Sequence, residues 1–250
     1  MRVLDLADPF FLARRALHRE VGRMARQVDG VVVDIGCGSA PYRSLFSHAR
    51  YVGVEVPSRS EHGSSKTGAD VFFDGHRLPI GDACVDAVLC SQVLEHVFEP
   101  KAFLGELNRV LRPGGHLLLT TPFVWDEHEQ PRDYARYSSF GLRHLADTCG
   151  FEVVDAHRTL ADASLFAQLW LAYVFKVTRG RRRVTLPRRV VIAGASLLAN
   201  LAGLLMARIL PASPDLYLDN AMLLVKPAGV SSDQAGQTAM RGHWTQPPTS

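Results

Sequence analysis

The stretch that decides the fold is Val31–Pro41, "VVVDIGCGSAP". Three valines lead into Asp34 and Ile35, and the run then breaks at Gly36-Cys37-Gly38. Continuous apolar character closed by a glycine turn predicts a strand buried on both faces. The turn that follows offers backbone N–H groups that a ligand can approach closely. Gly36 and Gly38 occupy the first two positions of G-x-G-x-x-G, and Pro41 stands at the third. In dinucleotide-binding turns a small third residue allows close helix–strand packing beside the pyrophosphate. Pro41 meets that demand poorly. A ligand without phosphates, held by its ribose and its base, suits the loop better.

Outward from this turn the chain alternates strand and helix patterns. The runs "YVGVEV" (51–56), "ADVFFD" (69–74), "VDAVLCS" (85–91) and "GHLLLTTP" (115–122) predict four more strands. Two further runs, 151–158 and 219–227, bring the number to seven. An amphipathic helix is predicted over about 8–27, from the spacing of Phe11, Leu12, Ala16, Leu17, Val21 and Met24. "PKAFLGELNRVLRPGG" predicts a second, with Pro100 in its first turn, Leu104, Leu107 and Leu111 on one face, and Pro113-Gly114-Gly115 as its stop. "SSFGLRHLADTCGF" predicts a third, capped by Ser138 or Ser139 and ended at Gly150. The fold class expected is α/β: a Rossmann-like, seven-stranded, mostly parallel sheet with helices on both faces and a helical insertion before the last strand. The chain divides into an N-terminal helix (1–28), a main domain (29–227) with an apolar insertion at about 159–216, and a Ser-, Gln-, Pro- and Gly-rich tail (228–250) expected to be disordered.

Composition narrows the function classes. A 250-residue chain with 47% hydrophobic and 21% charged residues is that of a folded protein. The N-terminal residues alternate apolar and charged types and form no signal peptide, so a cytoplasmic location is expected. Cys37, Cys84, Cys90 and Cys149 lack C-x-x-C spacing and read as free thiols. The net charge of +3 depends on one cluster, "RGRRRVTLPRR" (179–189); without its six arginines the balance is 22 basic against 25 acidic residues. Basic character confined to one cluster argues against a broad nucleic-acid-binding face.

Glu55, 19 residues after Gly36, closes the second strand, where an acid typically receives ribose hydroxyls. Taken together, "VVVDIGCGSAPY", "YVGVE", "FFDGHRLPIGDACVDAVLCSQVLEHV" and "LGELNRVLRPGGHLLLTTP" resemble the class I S-adenosylmethionine-dependent methyltransferases over residues 29–158, with the strand at 219–227 extending the likeness. The resemblance implies S-adenosyl-L-methionine as cofactor. It places Asp34, Gly36, Cys37 and Gly38 around the methionine portion and ribose, and Glu55 on the ribose hydroxyls. Asp74, Gly75 and His76 would then meet the adenine, with Ser91 and Gln92 beside the sulfonium.

Methyl transfer to a hydroxyl needs an aligned acceptor and a base, and such groups belong after the fourth and fifth strands. "LEHVFEP" offers His96, whose role is open between catalysis and structure. "TPFVWDEHEQPRDYARYS" (121–138) concentrates polar and aromatic residues on one loop, which suggests a binding site. His128 is the expected base, with Asp133 and Arg136 positioning it or the substrate; a purely structural Asp133–Arg136 ion pair is the competing expectation. The H-E-x-P-x-D-Y-x-R-Y pattern resembles a methyltransferase subgroup associated with glycan and cell-envelope biosynthesis. Glu95, His96 and His128 could ligate a divalent ion, as a related Glu-His pair does in some members. Gln92 stands where those members carry a further acid, so no metal is expected.

The insertion holds two apolar segments, 161–177 and 190–207, the second without a charge over 18 residues. A substrate lid or homodimer interface, peripheral membrane contact through 161–210 at the inner membrane face, and true spanning are three readings of it. The last fits poorly, because a strand of the sheet follows. The expected reaction is O-methylation of a sugar or glycan-type acceptor, lipid-linked or free. A phenolic, quinone or other small-metabolite acceptor is the alternative. A catalytically inactive cofactor-binding partner is the alternative from another class.

Overall fold

The computed structural model describes residues 6–57, 67–178 and 186–228. The expected tail from 229 onward and Arg179–Arg183 lie outside these residues. In chain order the main elements are α1 (Phe11–Ala25), β1 (Val31–Ile35), β2 (Arg50–Glu55), β3 (Val71–Phe72), β4 (Val85–Ser91), α2 (Pro100–Val110) and β5 (Leu111–Pro122). They continue with α3 (Ser139–Thr148), β6 (Glu152–Arg158), α4 (Ser164–Thr178), α5 (Leu186–Ile209) and β7 (Asp219–Val225). One seven-stranded sheet runs in the order β3-β2-β1-β4-β5-β7-β6. β7 is antiparallel to both neighbours, and the other pairings are parallel. The strand order reverses between β1 and β4, which opens a crevice at their carboxyl ends.

Adjacent residues on each strand serve opposite faces, as the period of two requires. Val33, Val88 and Leu117 pack with Leu104, Leu107 and Leu142 of α2 and α3. Val32, Leu89 and Leu118 pack with Val21 and Met24 of α1. Both sheet faces are covered, which is why the strands read as unbroken apolar runs.

Two boundaries differ from the sequence expectation. The run at 69–74 shortens to Val71–Phe72, because its flanking acids take other bonds, Asp70 to β2 and Asp74 in a local turn. Asp70 accepts from the Gly53 N–H at 2.7 Å, and Asp74 accepts from the His76 and Arg77 N–H groups at 2.8 and 3.2 Å. The second helix ends at Val110, before Pro113, since a residue preceding proline is disfavoured in the α region. Leu111 turns extended and pairs with Val85, and the register shifts before Ala87 meets His116. The third helix is capped by Ser138, whose hydroxyl accepts from the Gly141 N–H, and stops at Gly150 with φ +79°.

The insertion forms two helices packed along one another. α5 turns Ser196, Asn200 and Gly203 inward. The Asn200 amide donates to the Leu6 and Asp8 carbonyls at 2.8 and 2.9 Å, and Gly203 lies against Ala167 and Leu12. Gln168 of α4 accepts from the Ala13 N–H and donates to the Pro9 carbonyl, both at 2.9 Å. Leu165 and Leu171 of α4 are buried and Leu197 and Leu204 of α5 pack inward, but Phe166, Trp170, Tyr173 and Val177 on α4, and Val191, Leu198, Leu205 and Ile209 on α5 are exposed.

A Cβ at Gly203 would lie 2.8 Å from the Ala167 Cβ, whereas one at Gly105, on the exposed side of α2, meets nothing within 4 Å. Gly203→Ala should therefore destabilise the chain by about 1–3 kcal/mol through overpacking. Gly105→Ala should stabilise it by about 0.5–1 kcal/mol. Denaturant unfolding of the two variants checks the opposite signs.

Candidate functional site

β1 ends in the glycine turn. Gly36 and Gly38 take left-handed backbone angles, φ +70° and +53°, and the Gly36 and Cys37 N–H groups donate to the Val54 carbonyl. A Cβ at Gly38 would meet no atom within 4 Å, so the outer side of the turn is open to a ligand. Cys37 is buried under the turn, and desolvation followed by the nearby Asp34 and Glu55 charges pushes its thiol up to about 12. It is a packing residue, not a nucleophile.

Glu55, at the end of β2, accepts from the Gly38 N–H at 2.8 Å through one oxygen and from the Val56 N–H at 3.0 Å through the other. Each carboxylate oxygen keeps a second lone pair for ligand hydroxyls. Gly75, with φ +87°, lies beside Val56, so the Asp74-Gly75-His76 turn adjoins the end of β2. Asp74 is held ionised by the His76 and Arg77 N–H groups, which lower its carboxyl below the usual range. Asp34 instead lies beneath the turn, 2% exposed, and accepts a hydrogen bond from the Tyr51 hydroxyl. Burial pushes its carboxyl up to about 7 against that bond. The crevice thus carries carboxylates at Glu55 and Asp74 and a glycine cradle. Such a site repels phosphates and suits a ligand with a cationic centre and free ribose hydroxyls.

At the end of β4, Ser91 Oγ lies 2.8 Å from Thr120 Oγ1 on β5, and Gln92, with φ +57°, donates to the same oxygen at 3.3 Å. Gln92 also bonds the buried Asp219 of β7, whose other partner is Thr159 at 2.7 Å. Desolvation pushes Asp219 up to about 7. A one-turn helix, Leu94–His96, follows and carries Glu95 and His96.

The loop after β5 folds over that turn. The Tyr134 N–H donates to the Glu95 carbonyl at 2.8 Å, and His96 Nδ1 lies 2.6 Å from the Arg132 carbonyl. A carbonyl only accepts, so His96 donates to it from Nδ1. His128 is fixed in the same sense. Its Nδ1 lies 3.3 Å from both the Asp126 carbonyl and Asp133 Oδ2, two acceptors, and 3.4 Å from Arg136 Nη2, a donor; the two nearer oxygens favour a proton on Nδ1. Asp133 is bound by both ends of the Arg136 guanidinium at 2.6 Å and accepts from the His128 N–H at 2.9 Å. That pairing holds its carboxyl well below the usual carboxylate range. Arg136 also donates to the Asp126 carbonyl at 2.8 Å. The ion pair between Asp133 and Arg136 therefore exists, and it frames His128.

Glu95 closes the arrangement. Its side chain is 0% exposed and neither oxygen has a hydrogen-bond partner among the described residues. His96 Nε2 and His128 Nε2 lie 3.9 and 4.0 Å from Glu95 Oε1, and the two rings meet edge to face at 4.8 Å. The three side chains offer ligand atoms within 4.8 Å of one another, a donor set that could hold a cation. Desolvation pushes Glu95 up to about 8. Two surface concavities of about 390 and 650 Å³ lie elsewhere, against α3, and contain neither the glycine turn nor His128.

Comparison with known proteins fits this geometry. Residues 33–119 match the family model described as "Methyltransferase domain". The matched segment runs from β1 into β5 and takes up about a third of the chain. Its sequence relatives include an uncharacterized methyltransferase of Mycobacterium leprae, 38% identical over 103 residues, or 38% of each chain. A Mycolicibacterium smegmatis protein described as a "Probable S-adenosylmethionine-dependent methyltransferase" is 31% identical over 153 residues, 57% of each chain. The chain thus spans well under two thirds of the length of these curated relatives. Among solved structures, the cyclase SpnF superposes with a TM-score of 0.54 at 18% identity, covering 85% of this chain and 82% of that one. That likeness concerns the fold.

The fold brings together Gly36, Gly38 and Glu55 at one end of the crevice, and His96, His128, Asp133 and Arg136 beside the β4 and β5 ends. Sequence reading missed Tyr51, Thr120 and Asp219. Asp219 alone left a signal, an acid opening an otherwise apolar strand. The folded chain binds a proton at Asp34 and Asp219 more tightly than the unfolded chain does, whose aspartates titrate near about 3.9. Stability is therefore full below about pH 4 for these groups and falls as pH rises to about 7, where both have ionised. The melting temperature of Asp219→Asn should gain on wild type between pH 5 and pH 8. A pH-independent difference would refute the protonated carboxyl.

Proposed function

We propose that the chain binds S-adenosylmethionine and transfers its methyl group to a hydroxyl of a sugar or glycan-type acceptor. The observation that carries the reading is the seat of His128, whose Nδ1 lies 3.3 Å from two acceptor oxygens. Asp126 and Asp133 hold its Nδ1 proton, and its Nε2 lone pair is left beside the carboxyl ends of β4 and β5. When bound, the cofactor supplies an electrophilic methyl carbon. Gly36 and Gly38 would pass beneath it, Glu55 would receive its ribose hydroxyls, Asp74 its adenine amino group, and Gln92 would border the sulfonium. His128 Nε2 takes the acceptor's proton as the new bond forms, and the Asp133 carboxylate steadies the resulting imidazolium. Asp133 and Arg136 are positioning residues that keep the ring in one orientation.

The acceptor class is supported by the loop's surface. Exposed Phe98 and Tyr134 meet edge to face at 5.3 Å and offer flat apolar faces. Glu127, Glu129 and Arg132 belong to the same loop as Tyr134 and carry groups that can bond hydroxyls. That combination suits a ring with one apolar face and many hydroxyls.

Calorimetry should show binding of S-adenosylmethionine and none of NAD; the reverse would sink the cofactor reading. His128→Ala should leave that affinity unchanged while kcat drops by about 10²–10⁴-fold. Full activity would remove His128 as base. In an assay across sugars and phenols, methylation of phenols alone would overturn the acceptor class.

The unpartnered oxygens of Glu95 favour a second reading, in which Glu95, His96 and His128 hold a divalent cation that lowers the acceptor's pKa. Loss of activity on chelation, regained with manganese or magnesium, would support it. Activity untouched by chelation leaves His128 as the base.

A further inference from the structure

α5 inverts the pattern of a surface helix. Such a helix ordinarily turns an apolar stripe to the core and polar residues outward. Here Ser196, Asn200 and Gly203 face the domain, while Leu198, 70% exposed, and Trp170 of α4, 61% exposed, face away. Within α5, Val190–Ile209 is long and apolar enough to cross a membrane. An apolar face of this size must meet something other than water.

We propose that α4 and α5 form a docking face for an anionic lipid bilayer, with both helices lying in the plane of the interface. Three observations select this occupant. The first is charge. Residues 163–214 contain eight basic residues and no acidic one. The remaining 20 basic residues face 25 acidic ones, so the rest of the chain is net −5. Arg179, Arg181, Arg182, Arg183, Arg188 and Arg189 lie in sequence between the last residues of α4 and the first apolar turn of α5. Arginines flanking apolar helices suit anionic headgroups, and aromatic side chains such as Trp170 and Tyr173 suit the interfacial zone.

The second observation disfavours a spanning arrangement. Strands β6 and β7, which precede and follow the helices, pair with each other in one sheet. The helix also stays fastened to the domain by the Asn200 bonds to the Leu6 and Asp8 carbonyls. Lying flat satisfies these constraints; crossing would break them. The third disfavours a second copy of the chain. A two-fold pairing through this face sets the same patch against itself, bringing together two segments that each carry eight basic residues.

The face adjoins the candidate site. Lys176 of α4 lies 2.7 Å from Asp126 Oδ2 and donates to the Glu127 carbonyl at 2.5 Å. The Phe10 ring bridges Phe175 of α4 and Trp125, at 4.9 and 6.2 Å. Docking would hold the loop that carries His128 close to the bilayer surface.

The test uses the full chain and vesicles, and needs no methyl acceptor. Wild type should sediment with phosphatidylglycerol vesicles and far less with phosphatidylcholine vesicles. Substituting glutamine at Arg181, Arg182 and Arg183 should weaken the partitioning on the order of a hundredfold. Leu198→Ser with Leu205→Ser should also weaken it, while calorimetry with S-adenosylmethionine and the circular dichroism spectrum stay unchanged. Absence of sedimentation with either vesicle overturns the proposal. So does a concentration-dependent dimer in analytical ultracentrifugation that Leu198→Ser dissolves, since that would assign the face to a second copy. Partitioning that resists alkaline carbonate extraction would overturn the in-plane arrangement in favour of a spanning one.

Discussion

The site depends on residue 36 having no side chain. A Cβ there would stand 2.5 Å from Val93 Cγ2, and the backbone is in the left-handed region as well. Because the position is glycine, the turn after β1 can lie against the segment after β4. Val93 directly precedes the short helical turn that carries Glu95 and His96. Tyr134 and Arg132 then bond to that turn, and the loop of His128 takes its place over it. One absent methyl group thus sets the spacing between the glycine cradle and the two imidazoles.

The polar groups of the site are stacked in depth. Half-buried Glu55 and exposed Asp74 rim the crevice, while Asp34, Glu95 and Asp219 lie buried behind it. Burial raises the inner three and backbone N–H groups lower Asp74, so the carboxyls of one region of the fold differ in their hold on a proton. Desolvated acids of this kind cluster at functional sites because a stable core has no use for them.

The sheet was legible in the sequence because both of its faces are covered. "VVVDI" and "VDAVLCS" name their strands to the residue, and Ser138 and Gly150 mark the third helix. The third strand was legible in place but not in extent, because side-chain bonds of Asp70 and Asp74 compete with edge pairing, and that competition is decided by tertiary neighbours. At the site, the glycines and Glu55 could be read from local spacing alone. The Tyr51–Asp34 bond, and the meeting of Glu95 with His128 across 33 positions, depend on which loops the sheet order juxtaposes. His128, Asp133 and Arg136 fall within nine residues, so their grouping was visible, but the tautomer was not. It depends on the Asp126 carbonyl, which is backbone and leaves no trace in residue identity.

The fastenings of the N-terminal segment reach far along the chain. Ala13 waits for Gln168, 155 residues later, and Leu6 for Asn200, 194 residues later. At about 5–20 residues per second, a ribosome leaves those carbonyls and amides without their final partners for roughly ten to forty seconds. Strands β1 to β5 emerge well before that, so the central sheet can assemble while α1 still lacks its final fastening. The last helix to be made is the one that locks the first in place.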